Sequence, residues 1–366
     1  MRIGIDARLA DYTVGGIARY TVQLTRAMSG IGTDHKLVAL RSRRPKVKPP
    51  AIPSDEAIAL QTPPHHRLER LSLPVELRNA RLDVLHSPDF IAPRGPWRNV
   101  VTVHDLAYLR MPWLLTRESR HYYNGIRRAV AWADAIIAVS ESTARDLREL
   151  LDVPTSKLHV IYEAADQELA PMPKAEAARV VEERYGVSDS FVLFVGTIEP
   201  RKNLPSLVQA VSLLRREMPV KLVVAGRRGW LSEPVFEAVR RQALEDGVVF
   251  LGEVTPAELR PLYCAAEVLT LPSLYEGFGL PPLEAMACGT PVVVSHAAAL
   301  AEVVGDAGLI VRPDDPNDIA NGLAWVIGNM AFRSTLIERG LARAATFSWE
   351  RAARETLAVY ERAASA

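Results

Sequence analysis

At 366 residues, 48% of them hydrophobic and 24% charged, the chain has the composition of an ordinary folded protein and room for two domains. Two cysteines exclude a disulfide scaffold and fit a reducing cytoplasm. The net charge of +1 hides an asymmetry, because residues 1–150 hold 23 Lys/Arg against 15 Asp/Glu and the remainder holds 21 against 28.

The chain opens on a strand, Arg2–Ala7, with no signal-peptide stretch ahead of it, so secretion is not expected. Asp6-Ala-Arg8 ends the strand, and Gly15-Gly16-Ile17-Ala-Arg19-Tyr20 then opens a helix. This is no dinucleotide Gly-x-Gly-x-x-Gly; it reads either as a plain loop or as a place where a pyrophosphate approaches closely. After a second strand, Lys36–Leu40, comes the basic run Arg41-Ser-Arg43-Arg44-Pro-Lys46-Val-Lys48. It reads as a solvated loop or as a contact for an anionic surface, lipid headgroups or a phosphorylated acceptor. Nucleic acid ranks lower because no aromatic residues are interleaved.

His65-His66 has no third ligand at useful spacing, so no metal is expected there. Strands follow at Leu82–His86, Asn99–His104, Ala135–Ser140 and Lys157–Tyr162. His104-Asp105-Leu106 ends one of them, and Ser140 with Glu141 is explained as a helix N-cap.

A second series runs Phe191–Val195, Val220–Ala225, Val248–Leu251, Val268–Leu271, Pro291–Val294 and Leu309–Val311. Strands alternating with helices predict parallel sheets covered on both faces, whose ligands sit just after the strands. The boundaries predicted are a first domain over 1–170, a linker over 171–190, a second domain over 191–345 and a closing helix over 346–366 able to pack back on the first. The apolar stretch Pro291–Val311 is interrupted by His296, Glu302 and Asp306 and is read as strand and helix, not a membrane span. Cys264 and Cys288 read as buried packing.

Two segments carry chemistry. Gly196-Thr197-Ile-Glu199-Pro200-Arg201-Lys202-Asn203 follows the first strand of the second series, and its adjacent cations before a helix read as a diphosphate clamp. A solvated pair fits poorly there, since cations are disfavoured at a helix N-terminus. The other segment is Glu276-Gly277-Phe278-Gly279-Leu280-Pro-Pro-Leu-Glu284-Ala-Met-Ala-Cys288-Gly289. Its glycines admit close backbone approach, its prolines suit a first helical turn and Gly289 suits the position after the last. Two carboxylates thus flank an anion-binding helix start and would accept bonds from sugar and ribose hydroxyls.

With Glu276 to Val293 in view, the sequence resembles family 4 of the retaining glycosyltransferases, over essentially the whole chain. The resemblance implies the α/β GT-B fold: two Rossmann-like, doubly wound domains facing across a cleft. It implies that Glu276 contacts the transferred sugar and that Glu284 binds ribose hydroxyls. Backbone amides around Gly277, Phe278, Gly279 and Leu280 would meet the sugar or the β-phosphate, and Arg201 and Lys202 the diphosphate. Thr197 stands where some members carry a further Arg, so the phosphate contacts would be arranged differently. Gly15 and Gly16 match the family's Gly-Gly loop, His104 its donor-sugar histidine, and Glu253 and Val254 its nucleotide-base contacts.

Bacterial polysaccharide mannosyltransferases are the most similar group, which implies GDP-mannose as donor and a saccharide or lipid-linked acceptor. The nucleotide sugar is a co-substrate, and no cofactor or metal is expected, since no Asp-x-Asp of the other large glycosyltransferase fold is present. The expected location is the cytoplasm, peripheral at the inner membrane face through Arg41–Lys48. Two rivals share the architecture: a nucleotide-sugar epimerase, which lacks the Glu276–Gly289 wording, and a non-catalytic nucleotide-sugar sensor.

Overall fold

The computed structural model describes residues 1–66, 68–114 and 125–365. The chain divides into two compact units, Met1–Glu163 with Ser348–Ala366, and Ala164–Phe347.

In the first unit, strands β1 (Arg2–Asp6), β2 (Lys36–Ser42), β3 (Glu56–Leu60), β4 (Val84–Ser87), β5 (Arg98–Val103), β6 (Ala135–Ala138) and β7 (Leu158–Val160) form one sheet. Their order is β3-β2-β1-β4-β5-β6-β7 and every pairing among the described residues is parallel. In the second unit, β8 (Phe191–Val195), β9 (Lys221–Ala225), β10 (Val248–Gly252), β11 (Val268–Leu271), β12 (Val292–Ser295) and β13 (Leu309–Val311) run β10-β9-β8-β11-β12-β13, again parallel. Both sheets reverse direction of growth beside their first strand, between β1 and β4 and between β8 and β11. Such switch points are where open α/β sheets bind ligands, because loops diverge there and leave a crevice.

The central strands of the second unit are buried along their whole length, as strands covered by helices on both faces are. Phe191 to Val195 are all buried, as are Val268 to Leu271 and Val292 to Ser295. Some helices start on side-chain caps: Ser140 accepts from the Thr143 amide at 3.0 Å, and Asp315 from the amides of Asn317 and Asp318.

Two expectations are corrected. Strand β3 was not foreseen: it is a sheet edge, pairs only with β2 in register Val38 to Glu56, and alternates half-exposed residues, so it lacks the apolar run that marks the interior strands. The stretch 171–190 is not a linker. Lys174–Tyr185 is a helix packed on the helix Pro256–Ala265 of the second unit, Tyr185 donates to Glu258 at 2.9 Å, and Arg260 donates to the Ala170 carbonyl at 2.9 Å. Those bonds draw the chain from Ala164 onward into the second unit, which runs to Phe347.

The helix Trp349–Ser365 lies in the first unit, against the helix Gly16–Gly30 and the sheet. Its anchor is polar. Tyr360 Oη lies 2.6 Å from His86 Nδ1, His86 Nε2 is 2.8 Å from Thr102 Oγ1, and Tyr20 Oη is 3.1 Å from the same hydroxyl. All four side chains are buried, and burial, with His104 nearby, pushes His86 down to about 3, so its ring is neutral and bonds as donor and acceptor. Among the described residues no helix is long and apolar enough to cross a membrane.

Tyr360→Phe keeps the ring and strands a buried imidazole nitrogen. We expect about 1–3 kcal/mol of destabilisation, read as a lower urea midpoint; an unaltered midpoint would mean that the chain of bonds does not anchor the helix.

Candidate active site

The two chemistry-bearing segments meet at the switch point of the second unit, one after β8 and the other after β11. A single 3-10 turn, Pro200–Lys202, sets Arg201 and Lys202 side by side, and Asn203 ends it at φ +57. Asn203 then ties the turn down, donating from Nδ2 to the carbonyls of Pro272 at 3.2 Å and Pro313 at 2.6 Å. Leu274 N donates to the Arg201 carbonyl at 2.8 Å, which joins the two loops directly.

Glu276 is the hub. Arg201 Nη1 donates to its Oε2 at 2.6 Å, while Lys202 Nζ and Ser273 Oγ each donate to its Oε1 at 2.6 Å. The carboxylate is only 7% exposed. Burial alone would raise its pKa, but Arg201, then Lys202, and the hydrogen bonds from Lys202 and Ser273 outweigh it and hold the group at about 2. Arg201 also reaches Glu199 Oε1 at 2.7 Å and the Tyr275 carbonyl at 3.0 Å. The site thus combines two fixed cations and two carboxylates, and their charges balance within it.

The backbone beside Glu276 is shaped by one glycine. Gly279 has φ +119, and a Cβ there would come within 2.6 Å of Leu300 Cδ2. It caps the helix Leu280–Ala287, whose first turn carries Pro281 and Pro282. Prolines have no N–H, so the amide donors of this helix start are confined to Gly279 and Leu280 rather than spread along a full turn.

The structure also fixes where the remaining residues named by the resemblance stand. Glu284 is fully buried and accepts from Tyr263 Oη at 2.7 Å, which anchors the helix from beneath. The helical turn that places Gly279 at the start rotates Glu284 inward with its neighbours Leu283 and Ala285, which are buried too. The Phe278 side chain also points in, edge-on to Phe347 at 6.0 Å between centroids, leaving only its backbone to the site beside Gly277. Glu253, exposed, and Val254, half-buried, stand apart from the Glu276 cluster, after β10.

A glycine that the sequence reading missed holds these strand ends together. Gly226 follows β9, and a Cβ there would stand 1.9 Å from the Gly196 carbonyl oxygen. Only a bare backbone lets the loop to Lys202 cross here. Gly196 N donates to Ala225 O and Gly226 N to Gly252 O, so the ends of β8, β9 and β10 are stitched in sequence. The signal was a Gly directly after a strand, in Ala225-Gly226-Arg227-Arg228-Gly229. Ser273 and Glu199 were likewise missed as partners of the charged pair.

In the first unit, Gly15 is the extended N-cap of the helix Gly16–Gly30. That helix carries Tyr20, whose ring packs edge-on against His104 at 4.8 Å. His104 contacts Glu163 Oε1 through Nδ1 at 2.9 Å and the Pro88 carbonyl through Nε2 at 3.0 Å. Burial opposes the proton, yet Glu163 first and Pro88 next raise the His104 pKa, and each ring nitrogen faces an oxygen that can accept. Both ring nitrogens are thus already engaged within the first unit. Cys264 and Cys288 are buried free thiols, as packing residues should be. His65 bonds Asp89 at 2.8 Å. Arg41, read as part of a basic loop, is instead paired with the buried Asp11 and donates to the Pro50 carbonyl at 3.1 Å.

Comparison with known proteins bears on the family and the fold. The model described as "Glycosyltransferase Family 4" matches residues 14–169, and the one described as "Glycosyl transferases group 1" matches residues 189–329. The chain is 34% identical over 288 residues to the O-antigen chain mannosyltransferase B of Escherichia coli, spanning 78% of this chain and 76% of that one. Among solved structures it superposes on sucrose-phosphate synthase from Thermosynechococcus elongatus with a TM-score of 0.81 at 23% identity, over 99% of this chain and 98% of that one. It also superposes on Anabaena Alr3699/HepE in complex with UDP-glucose, with a TM-score of 0.75 at 19% identity over 100% of both chains. With two parallel doubly wound units of the GT-B type and an Arg–Lys–Glu cluster at a switch point, the chain belongs to family 4 of the glycosyltransferases.

Proposed function

We propose that this glycosyltransferase moves mannose, with retention of configuration, from GDP-mannose to a saccharide or lipid-linked acceptor in the synthesis of a cell-surface polysaccharide. The observation that carries this reading is the meeting of Arg201 and Lys202 on the buried Glu276 carboxylate, each at 2.6 Å. Two cations fixed beside a helix start suit a diphosphate, and a carboxylate held ionised between them suits sugar hydroxyls. The similarity to the E. coli O-antigen mannosyltransferase supports mannose and the polysaccharide setting.

On this reading the diphosphate draws on Arg201, Lys202 and the amides of Gly279 and Leu280, and these charges stabilise it as it leaves. No metal has a part in that stabilisation. The acceptor hydroxyl attacks the anomeric carbon on the face the diphosphate leaves, the bond from that carbon to the β-phosphate oxygen breaks, and this oxygen takes the hydroxyl proton. Glu276 and His104 position the sugar. Glu253 and Val254 serve the base, and Gly15 and Gly16 allow close backbone approach. Water is kept from the oxocarbenium-like state by closure around the bound donor. Arg43, Arg44, Lys46 and Lys48 are exposed and form the part of the basic run left for an anionic inner membrane face, with Arg41 committed to Asp11.

A thermal-shift panel checks the donor. GDP should raise the unfolding midpoint more than UDP, dTDP or ADP, with about 2.7 kcal/mol of stabilisation at a hundredfold excess over Kd; a larger shift with another nucleotide would reassign the base. Lys202→Ala should weaken GDP binding about tenfold or more. Glu276→Gln should lower kcat for transfer about a hundredfold; near-normal transfer by both variants would refute the mechanism.

A further inference from the structure

The first unit has a switch point as well, between β1 and β4, and it too holds a buried ionic cluster. Arg8, 1% exposed, donates from Nε to Asp6 Oδ1 at 2.8 Å, from Nη2 to Asp6 Oδ2 at 2.6 Å and from Nη1 to the Thr62 carbonyl at 2.9 Å. Nη2 also donates to Glu69 Oε1. Every polar atom of the cluster named so far has a partner. Glu69 Oε2 does not: it is buried, in a residue 2% exposed, and no protein group bonds it. A buried carboxylate oxygen without a partner is costly and calls for something to occupy it.

Glu69 is among the residues lining a small cavity of about 20 Å³, with Asp6, Arg8, Ile17, Ser87 and Asp89. That volume admits one water-sized group and no more, since about 10–15 Å³ of this measure holds a water. Its walls tie it to the expected chemistry. Ile17 directly follows Gly16, and Pro88, also on the cavity, is the residue whose carbonyl His104 grips at 3.0 Å. Burial, with Asp6 adding to it, pushes Glu69 up to about 7 against the pull of Arg8 and His65. A group so poised gains from a hydroxyl, which bonds either protonation state.

We propose that this socket receives one hydroxyl group of the acceptor, bonded to Glu69 Oε2, and so sets the register of a saccharide on the first unit. The inference rests on the reading of the chain as a transferase to a hydroxyl-bearing acceptor. The two carboxylate–cation clusters, one at each switch point, would then divide the labour: the second unit's binds donor and the first unit's reads acceptor. Glu69 is on this account a binding residue that aligns the acceptor, with no proton transfer assigned to it.

The test is binding of methyl α-D-mannopyranoside to the full chain, followed by saturation-transfer NMR, for wild type, Glu69→Gln and Ile17→Phe. The glutamine variant removes the buried charge, and the phenylalanine variant fills the cavity while leaving the Arg8–Glu69 pair intact, so it remains informative if the first variant folds poorly. Both should weaken the glycoside about tenfold or more. GDP titrated into the same samples should bind all three proteins alike, so failure of the nucleotide reading appears separately from failure of the socket. Equal glycoside binding by wild type and Ile17→Phe overturns the proposal, as does no glycoside binding by wild type. A variant that only lowers the unfolding temperature would mark the socket as the seat of a structural water and likewise overturn it.

Discussion

A carboxylate buried in a protein is unstable unless its charge is answered, and the second unit is organised around answering one. Removing Glu276 from water costs several kcal/mol, and each cation taken with it costs about as much again. Geometry makes the arrangement tolerable: three donors at 2.6 Å, two of them charged, converge on two oxygens. Holding them there requires the 3-10 turn at Pro200, the Asn203 tie to two carbonyls and the loop contact from Leu274 to Arg201. Because the cost is high and the partners are fixed, the cluster offers a preorganised field in which little reorganisation is left for the moment of reaction.

The sheet order explains where this cluster sits. Loops after β8 and β11 diverge because the sheet grows in opposite directions from that point, so Lys202 and Glu276, 74 residues apart in sequence, become neighbours. The same reversal between β1 and β4 brings Arg8 and Glu69 together across 61 residues. One topology, used twice, thus produces two ionic clusters with opposite completeness: every carboxylate oxygen of Glu276 is bonded, whereas one of Glu69 is not. His104 belongs to the first unit and is fixed on two sides, by Glu163 and by the Pro88 carbonyl.

Much of this was legible in the sequence because the relevant signals are local. Apolar runs such as Phe191–Val195 announce interior parallel strands, and the glycines and prolines around Leu280 announce a helix start. The residues that carry charge stood directly after strands, where parallel sheets place their ligands. What could not be read was rotation and pairing at a distance. Nothing in Glu-x7-Glu says that Glu284 turns under its helix toward Tyr263, and nothing in the basic run says that Arg41 finds Asp11. Edge strand β3 lacked an apolar run because only one side of it is covered, and the helix Lys174–Tyr185 looked like a tether because its charges were visible but its partner helix was not. Gly226 matters only through the loop that crosses it, a fact that emerges when β8 and β9 are adjacent.

The central claim is that Glu276 is held ionised by Arg201 and Lys202 as one coupled unit. A carboxyl carbon-13 NMR titration of Glu276, in wild type and in Lys202→Ala, measures this directly. The account predicts that the wild-type carboxyl stays ionised through the range near 4.5 where ordinary glutamates titrate, toward about 2, and that loss of Lys202 moves its titration upward. A wild-type Glu276 that titrates at the ordinary value, or one indifferent to Lys202, would contradict it.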